Sequence, residues 1–204
     1  MKQPLEKKIL ETAEALFMEK GYDATSTTDI ARKVGCNQAL VHYYFRTKEN
    51  LFQRIFIEKV GLILSYITLD SQAAIDFKVA LFRFIDSYFS MLSNNRQLPL
   101  FLIKELIIRE ERRSMIRQIV LQEMDYLHYY HNWDKMVREE IEKGRIRPIE
   151  TMDLTLDVMS LIVFTFISLP LYCDFFQQDE EQITAYLERR RNEIKNLIWK
   201  GLQP

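Results

Sequence analysis

An all-α fold is expected from three features of this sequence: few helix breakers, apolar residues spaced by three and four, and capping residues wherever a helix has to start or stop. Five Gly and five Pro are few for 204 residues. Apolar side chains recur with helical rather than alternating period, so a sheet is not expected. At 48% apolar content the chain has material for one medium domain or two small ones sharing a core.

The elements follow in order. A first helix is expected over residues 4–20: Pro4 is tolerated in a first turn, Leu5, Ile9, Ala13, Leu16 and Phe17 share one face, and Gly21 ends it. Ser26-Thr27-Thr28-Asp29 reads as a capping box, with the Ser26 hydroxyl on the Asp29 amide and the carboxylate reaching back; the helix it starts stops at Gly35. Asn37 caps a third helix that buries Val41, Tyr44 and Phe45 and is over by Thr47. Lys48-Glu49-Asn50-Leu51-Phe52 opens a longer fourth helix, to about residue 69, with Leu51, Ile55, Leu62 and Tyr66 on one stripe. Further helices are expected over about 71–94, 98–109, 112–143, 152–169 and 179–202. The breaks are Ser93-Asn94-Asn95, Gly144 with Pro148 after it, and Pro170 ahead of Asp174. With no repeat, low-complexity segment or Gly/Ser linker, the N-terminal helices are expected to dock rigidly on the rest.

Composition excludes several classes. Lys plus Arg number 28 against 29 Asp plus Glu, so bulk positive charge cannot hold nucleic acid and any such contact must be local. Residues 1–60 carry 10 basic and 8 acidic side chains, a net +2 that leaves −3 for the remainder. Cys36 and Cys173 make no disulfide framework and have no zinc spacing with His, which fits a reducing compartment. The start lacks the apolar stretch of a secretion signal, and the longest uncharged run, residues 158–173, is 16 long, short of a membrane span. A soluble, cytoplasmic protein without a membrane partner is expected. No Ser-His-Asp set, Gly-rich phosphate loop or paired carboxylate motif is visible, so no enzyme and no cofactor is expected.

Residues 28–45 have the spacing of a helix-turn-helix: Ala31, Gly35 four later, Val41 six after that. Ala31 is small where two helices cross, Gly35 can take the positive φ of the turn, and Val41 pins the second helix on the first. With Val41, Tyr44 and Phe45 inward, Ala39 and Tyr43 point outward and Leu40 and His42 flank them. That face carries no charge. Gln38 could pair bidentately with adenine, Ala39 or Leu40 could touch a thymine methyl, and His42 and Tyr43 suit base edges or phosphates. Helix starts at Ser26 to Thr28, at Asn37 and at Lys48 offer free amides, with an ammonium added at the last. The alternative from spacing alone is a helical hairpin that merely packs.

The stretches from Gly21 to Ala31 and from Val34 to Asn37, and above all His42-Tyr43-Tyr44-Phe45-Arg46-Thr47-Lys48-Glu49-Asn50-Leu51-Phe52, resemble the DNA-binding domain of the TetR/AcrR family of bacterial regulators over about residues 5–56. The resemblance implies an all-α homodimer of about nine helices. An N-terminal three-helix helix-turn-helix domain, residues 1–47, would read DNA; residues 48–204 would bind ligand and dimerise, with helix 48–69 as connector. By the family's pattern Ser26 and Thr28 approach phosphates, Gln38, Ala39, Leu40 and His42 enter the groove, and Tyr43 and Lys48 meet the backbone. Where the family often has Lys, Gly, Thr and Tyr this chain has Gln38, Ala39, Leu40 and His42, so no operator sequence carries over. Gly144-Arg145-Ile146-Arg147-Pro148 resembles the turn ending the family's seventh helix, ahead of two dimerising helices.

The helix carrying Leu154, Val158, Leu161, Ile162, Thr165 and Leu169, with Phe164 and Phe166 interleaved, is apolar around most of its girth, and one core cannot easily use all of it. With the last helix it suits a four-helix interface between two copies, centred on Leu161, Phe164, Thr165, Ile183, Tyr186, Ile194 and Leu197. The alternative is that both helices are interior to a monomer. Aromatic and Met residues crowd the span between, where Tyr66, Tyr88, Phe101, Met124, His128 and Phe164 are candidates for an adaptable pocket or, equally, for an ordinary core. His128 and His131 beside Asp125 and Asp134 could geometrically hold a metal, but helix histidines usually do not, and no metal site is assigned. Cys36 reads as a small filler rather than a redox switch.

These readings combine into a repressor that holds a palindromic operator in double-stranded DNA, its recognition helices one turn apart, until a small-molecule ligand tilts the fourth helix. Two others stay open: a DNA-binding dimer with an architectural or protein-partner role, and a helical small-molecule binder without DNA binding, for which the lack of Lys and Arg over residues 38–45 leaves room.

Overall fold

The computed structural model describes residues 2–67, 76–108, 110–114, 117 and 126–204. Nine helices are delimited among them: α1 Lys2–Lys20, α2 Thr27–Val34, α3 Gln38–Phe45, α4 Lys48–Ile67, α5 Phe77–Asn94, α6 Leu98–Ile108, α7 Tyr126–Glu142, α8 Thr151–Phe176 and α9 Glu180–Gly201. Residues 110–114 are also helical, and no strand occurs among the described residues. The chain divides inside α4 into two compact units, Met1–Leu62 and Ile63–Pro204.

The first unit reaches past residue 47 because the opening turns of α4 are core. Leu51, Phe52, Ile55 and Phe56 are fully buried. Phe52 sets its edge against both Phe17 of α1 and Tyr22, with ring centroids 5.2 and 4.9 Å apart. Burying each such ring contributes roughly 2 kcal/mol. Two ion pairs add direction: Lys59 to Glu14 at 2.7 Å, largely buried, and the exposed Arg54 to Glu6 at 2.6 Å. Ile9, Ala13, Leu16 and Phe17 form the inner face of α1, as their spacing requires.

In the second unit α5, α8 and α9 pack on one another, α6 lies against α8, and α7 against α5 and α8. Leu81, Ile85, Phe89 and Leu92 of α5, Leu154, Val158, Ile162 and Phe166 of α8, and Ile183, Leu187, Ile194 and Ile198 of α9 are all buried in the core that these three helices share. Phe89 and Phe166 touch at 5.0 Å. Asp86 of α5 accepts from Lys195 of α9 at 2.6 Å, fixing the register of that pair. Asp76 caps α5, and Asp179 with Gln182 forms a full capping box on α9. After α7 the chain turns at Gly144 with φ 66°, buries Ile146, and returns to α9, where Arg147 donates from its backbone to Leu202 O at 2.8 Å and from Nε to Gly201 O at 2.6 Å. That places a cation on the carbonyl end of the last helix, its favoured end.

Three expectations are corrected. First, α8 does not stop at Leu169 but runs through Pro170 to Phe176, closed by Gln177 at φ 49°. Pro170 forfeits one backbone bond, but beyond it Tyr172 stacks on Tyr186 of α9 at 4.3 Å and meets Phe176 at 5.0 Å, so packing holds the extra turns. Second, the 26-residue α8 is long enough, and at a mean hydropathy of 2.0 apolar enough, to cross a membrane by composition alone. Its inner face packs on α5 and α9, and 33% of its most apolar window is buried within the chain. Third, α5 starts at Phe77 behind its Asp76 cap rather than near residue 71; residues 68–75 lie outside the description. Of the helix expected over 112–143, residues 112–114, 117 and 126–142 are helical and the rest of its length to residue 125 is outside it.

Candidate nucleic-acid interface

The site is assembled from three helix starts and one outward face, all in the first unit. Gly21 at φ 82° reverses the chain after α1, and the buried Thr25 hydroxyl bonds back to Gly21 O at 2.9 Å and Leu16 O at 3.2 Å. This positions Ser26 as the N-cap of α2. Its Oγ accepts from the Asp29 amide at 3.0 Å and donates to the Asp29 carboxylate at 2.6 Å. The Ser26 hydroxyl, above all, and the Arg32 guanidinium, which also donates to Asp29, hold that carboxyl below its usual range. Thr28 stands exposed on the same turn.

The turn between α2 and α3 is as the spacing requires. Gly35 takes φ 79° and closes α2 onto Ala31 O and Arg32 O, and Ala31, Val34, Val41 and Phe45 are buried between the helices. Asn37 caps α3, its Oδ1 accepting from the Ala39 amide at 2.9 Å. Ala39, Leu40, His42 and Tyr43 are all exposed, Tyr43 to 64%, so the uncharged face is presented to solvent. Gln38 is exposed as well, but its amide nitrogen bonds Thr27 and His42.

The end of α3 holds a residue that sequence reasoning passed over. Arg46 sits at φ 63°, ψ −52°, and the Thr47 amide bonds Phe45 O at 2.7 Å, which makes a γ-turn of the rare, positive-φ kind. Such a conformation in a non-glycine residue costs on the order of 1–3 kcal/mol. The His42 ring, 3.0 Å from Arg46 O, and the Arg46 amide on His42 O tie the turn to α3. Thr47 then caps α4, its Oγ1 accepting from the Asn50 amide at 3.0 Å.

Lys48 is placed differently from an ammonium held out to a phosphate. Its Nζ donates to Tyr22 O at 2.8 Å and Thr25 O at 2.9 Å and lies 4.0 Å from the Tyr22 ring centre. It is a strap between α4 and the loop that presents Ser26, because carbonyls and an aromatic face outcompete open water for a half-buried cation. Arg32 and Lys33 of α2 and Arg46 after α3 are exposed cations of the same unit.

The remaining expected residues fall in the second unit. Tyr88 is fully buried, which pushes its phenol up to about 12, and Phe101 is buried too. Tyr66 is exposed; Met124 and the side chain of His128 lie outside the described residues. Phe164 is 67% exposed on the outer side of α8 in the single chain. Leu197 is 51% exposed, Leu161 and Tyr186 are half-buried, and Thr165, Ile183 and Ile194 are buried within the single chain. Between α8 and α9 runs a groove of about 350 Å³ lined by Leu154, Leu161, Leu197, Ile198 and Leu202 with Arg147 and Asp157. Asp134 accepts from Arg138 at 2.7 Å and Thr151 at 2.5 Å, and among the described residues no three His, Cys, Asp or Glu gather as metal ligands. A buried ion pair, Glu105 of α6 with Arg112 at 3.7 Å, was not anticipated; a lone carboxylate inside Leu98-Pro99-Leu100-Phe101-Leu102-Ile103-Lys104-Glu105 was the available signal. Both cysteines are free and half-buried.

Residues 9–55 match the signature of "Bacterial regulatory proteins, tetR family". The "Probable HTH-type transcriptional regulator YttP" of Bacillus subtilis (strain 168) is 31% identical over 149 residues, 71% of this chain and 68% of that one. The "Fatty acid metabolism regulator protein" of the same strain is 26% identical over 158 residues, 76% of each chain. In overall fold the chain superposes on the transcriptional regulator FadR from Bacillus subtilis, solved in complex with stearoyl-CoA, with TM-score 0.67 and 22% identity over 97% of this chain and 99% of that one. A helix-turn-helix with capped starts and an outward reading face, a matching family signature and a relative alike over most of its length agree: the chain is a non-enzymatic DNA-binding transcriptional regulator and belongs to the tetR family of bacterial regulatory proteins.

Proposed function

We propose that the protein is a cytoplasmic, homodimeric repressor that holds a palindromic operator and lets go when a small amphipathic molecule enters its second unit. The observation that carries the reading is the face of Ala39, Leu40, His42 and Tyr43: four exposed, uncharged side chains on a helix capped at its start, where a merely solvated helix would carry Lys and Glu. Helix starts at α2, α3 and α4 supply amides and positive dipole ends for phosphates, while α3 enters the major groove.

Two copies would join through α8 and α9. Met152, Leu156, Phe164 and Leu171 of α8 and Leu197 of α9 are each between 45% and 67% exposed in one chain, more apolar surface than two helices of a monomer ordinarily leave in water. The second unit buries the aromatic side chains Phe84, Tyr88, Phe89 and Phe101 and the ion pair of Glu105 with Arg112, apolar and polar groups of the kinds that ligand pockets combine. A relative that regulates fatty acid metabolism and a fold neighbour holding stearoyl-CoA make a long-chain acyl-CoA the first ligand to try.

Selection of the purified protein against random duplexes, followed by mobility shift with and without stearoyl-CoA, tests this. The expected result is an inverted repeat with half-sites about one helical turn apart, roughly 10 base pairs, and weaker binding with the acyl-CoA present. Recovery of no preferred duplex overturns the DNA reading; an operator indifferent to acyl-CoAs of every chain length overturns the ligand assignment alone.

A further inference from the structure

Gln38, the first residue of α3, has its side-chain amide held by two neighbours. Its Nε2 donates to Thr27 Oγ1 at 2.9 Å and lies 3.3 Å from His42 Nε2. The direction of that second bond follows from the far side of the imidazole. His42 Nδ1 lies 3.0 Å from the Arg46 carbonyl oxygen, which can only accept. Nδ1 therefore carries the proton, and in the neutral ring Nε2 is an acceptor. A reversed Gln38 amide would aim its carbonyl oxygen at the same lone pair, so the ring fixes which end of the amide faces it.

We infer that Thr27 and His42 make Gln38 an acceptor-only reader of the major groove. An amide has two N–H hydrogens; one is taken by Thr27 and the other by His42, which leaves Oε1 as the group offered to a base. Bidentate pairing with adenine needs an N–H for N7 while the oxygen accepts from N6, so the clamp withholds half of it. What remains accepts equally from adenine N6 or cytosine N4. Guanine O6 and thymine O4 would meet it acceptor to acceptor. Gln38 thus behaves like a glutamate in hydrogen-bond terms without the charge that phosphates would repel. Thr27 and His42 act as positioning residues, and the Arg46 turn is the anchor that sets the His42 tautomer.

This inference rests on α3 entering the groove, and the test separates the two. The full-length protein is taken through duplex selection. The base pair whose preference changes in Gln38→Ala is then replaced by each of the four bases in turn. In the parent protein adenine and cytosine are expected within about threefold of each other, with guanine and thymine about tenfold or more weaker. Thr27→Val with His42→Ala frees the amide and is expected to raise adenine over cytosine by about tenfold. If no duplex is selected, the groove reading fails and takes this inference with it. If a site emerges but the parent already ranks adenine about tenfold above cytosine, or the double variant weakens all four bases alike, the clamp is overturned while DNA binding stands.

Discussion

Single residues in the reading unit do paired work, each bond serving a neighbour. Asp29 caps through Ser26 and also draws in Arg32, and its carboxyl sits below the usual range for that reason. A carboxyl depressed in the folded state contributes stability that is present above its unfolded pKa and lost as pH falls through the folded value. The denaturation midpoint is therefore expected to drop below about pH 4, and Asp29→Asn should flatten part of that slope in acid urea melts. Gly35 gives a cleaner backbone case. A Cβ there would meet nothing within 4 Å, yet φ is +79°. Gly35→Ala is expected to cost about 1–2 kcal/mol in chemical denaturation through conformation alone. Capping and turn residues such as Ser26, Gly35 and Asn37 are legible in a sequence because their partners lie two or three positions away. The inward strap of Lys48 is not, since its partners at Tyr22 and Thr25 are brought near only by folding.

Among elements, the helices whose ends carry a local signal fall where spacing puts them, and the exceptions share one cause. The expected ends of α2 and α3 stand within a residue or two of those observed because Ser26, Gly35 and Asn37 act within one turn. α8 overruns its expected end because proline is a local signal and the contacts of Tyr172 with Tyr186 and Phe176 are not. Pro170 is exposed and leaves a helical bond unmade, so Pro170→Ala is expected to raise stability by roughly 1–3 kcal/mol in thermal or urea unfolding. A fall in stability would mean that the ring itself packs. The exposed face of α3 was legible from periodicity, since 100° per residue separates Val41 and Phe45 from Ala39 and Tyr43. The hydrogen bonds that orient Gln38 on that face were not, because Thr27 belongs to another helix.

At the scale of the whole molecule, the exposed apolar stripe on α8 and α9 and the division inside α4 lead to two expectations. Phe164→Glu with Leu197→Glu alters side chains that are 67% and 51% exposed in one chain, so the fold should survive. Sedimentation should then show a monomer, with operator affinity down at least about 100-fold as the second half-site is lost. An unchanged dimer would move the interface elsewhere. Gly61, one residue ahead of Leu62 where the first unit ends, is a helical glycine with open space around it. Gly61→Ala is expected to add about 0.5–1 kcal/mol of stability while shrinking the ligand's effect on DNA affinity, read by melting and by mobility shift on one preparation. On the reading proposed above, α4, which runs from one unit into the other, would act as a lever. A rod of 20 residues is about 30 Å long, and a pivot of about 5° swings its tip roughly 2.5 Å. In a symmetric pair the tips would diverge by about twice that, more than the roughly 3.4 Å rise of one base pair, so a rotation too slight to disturb any core could put both readers out of step with their half-sites.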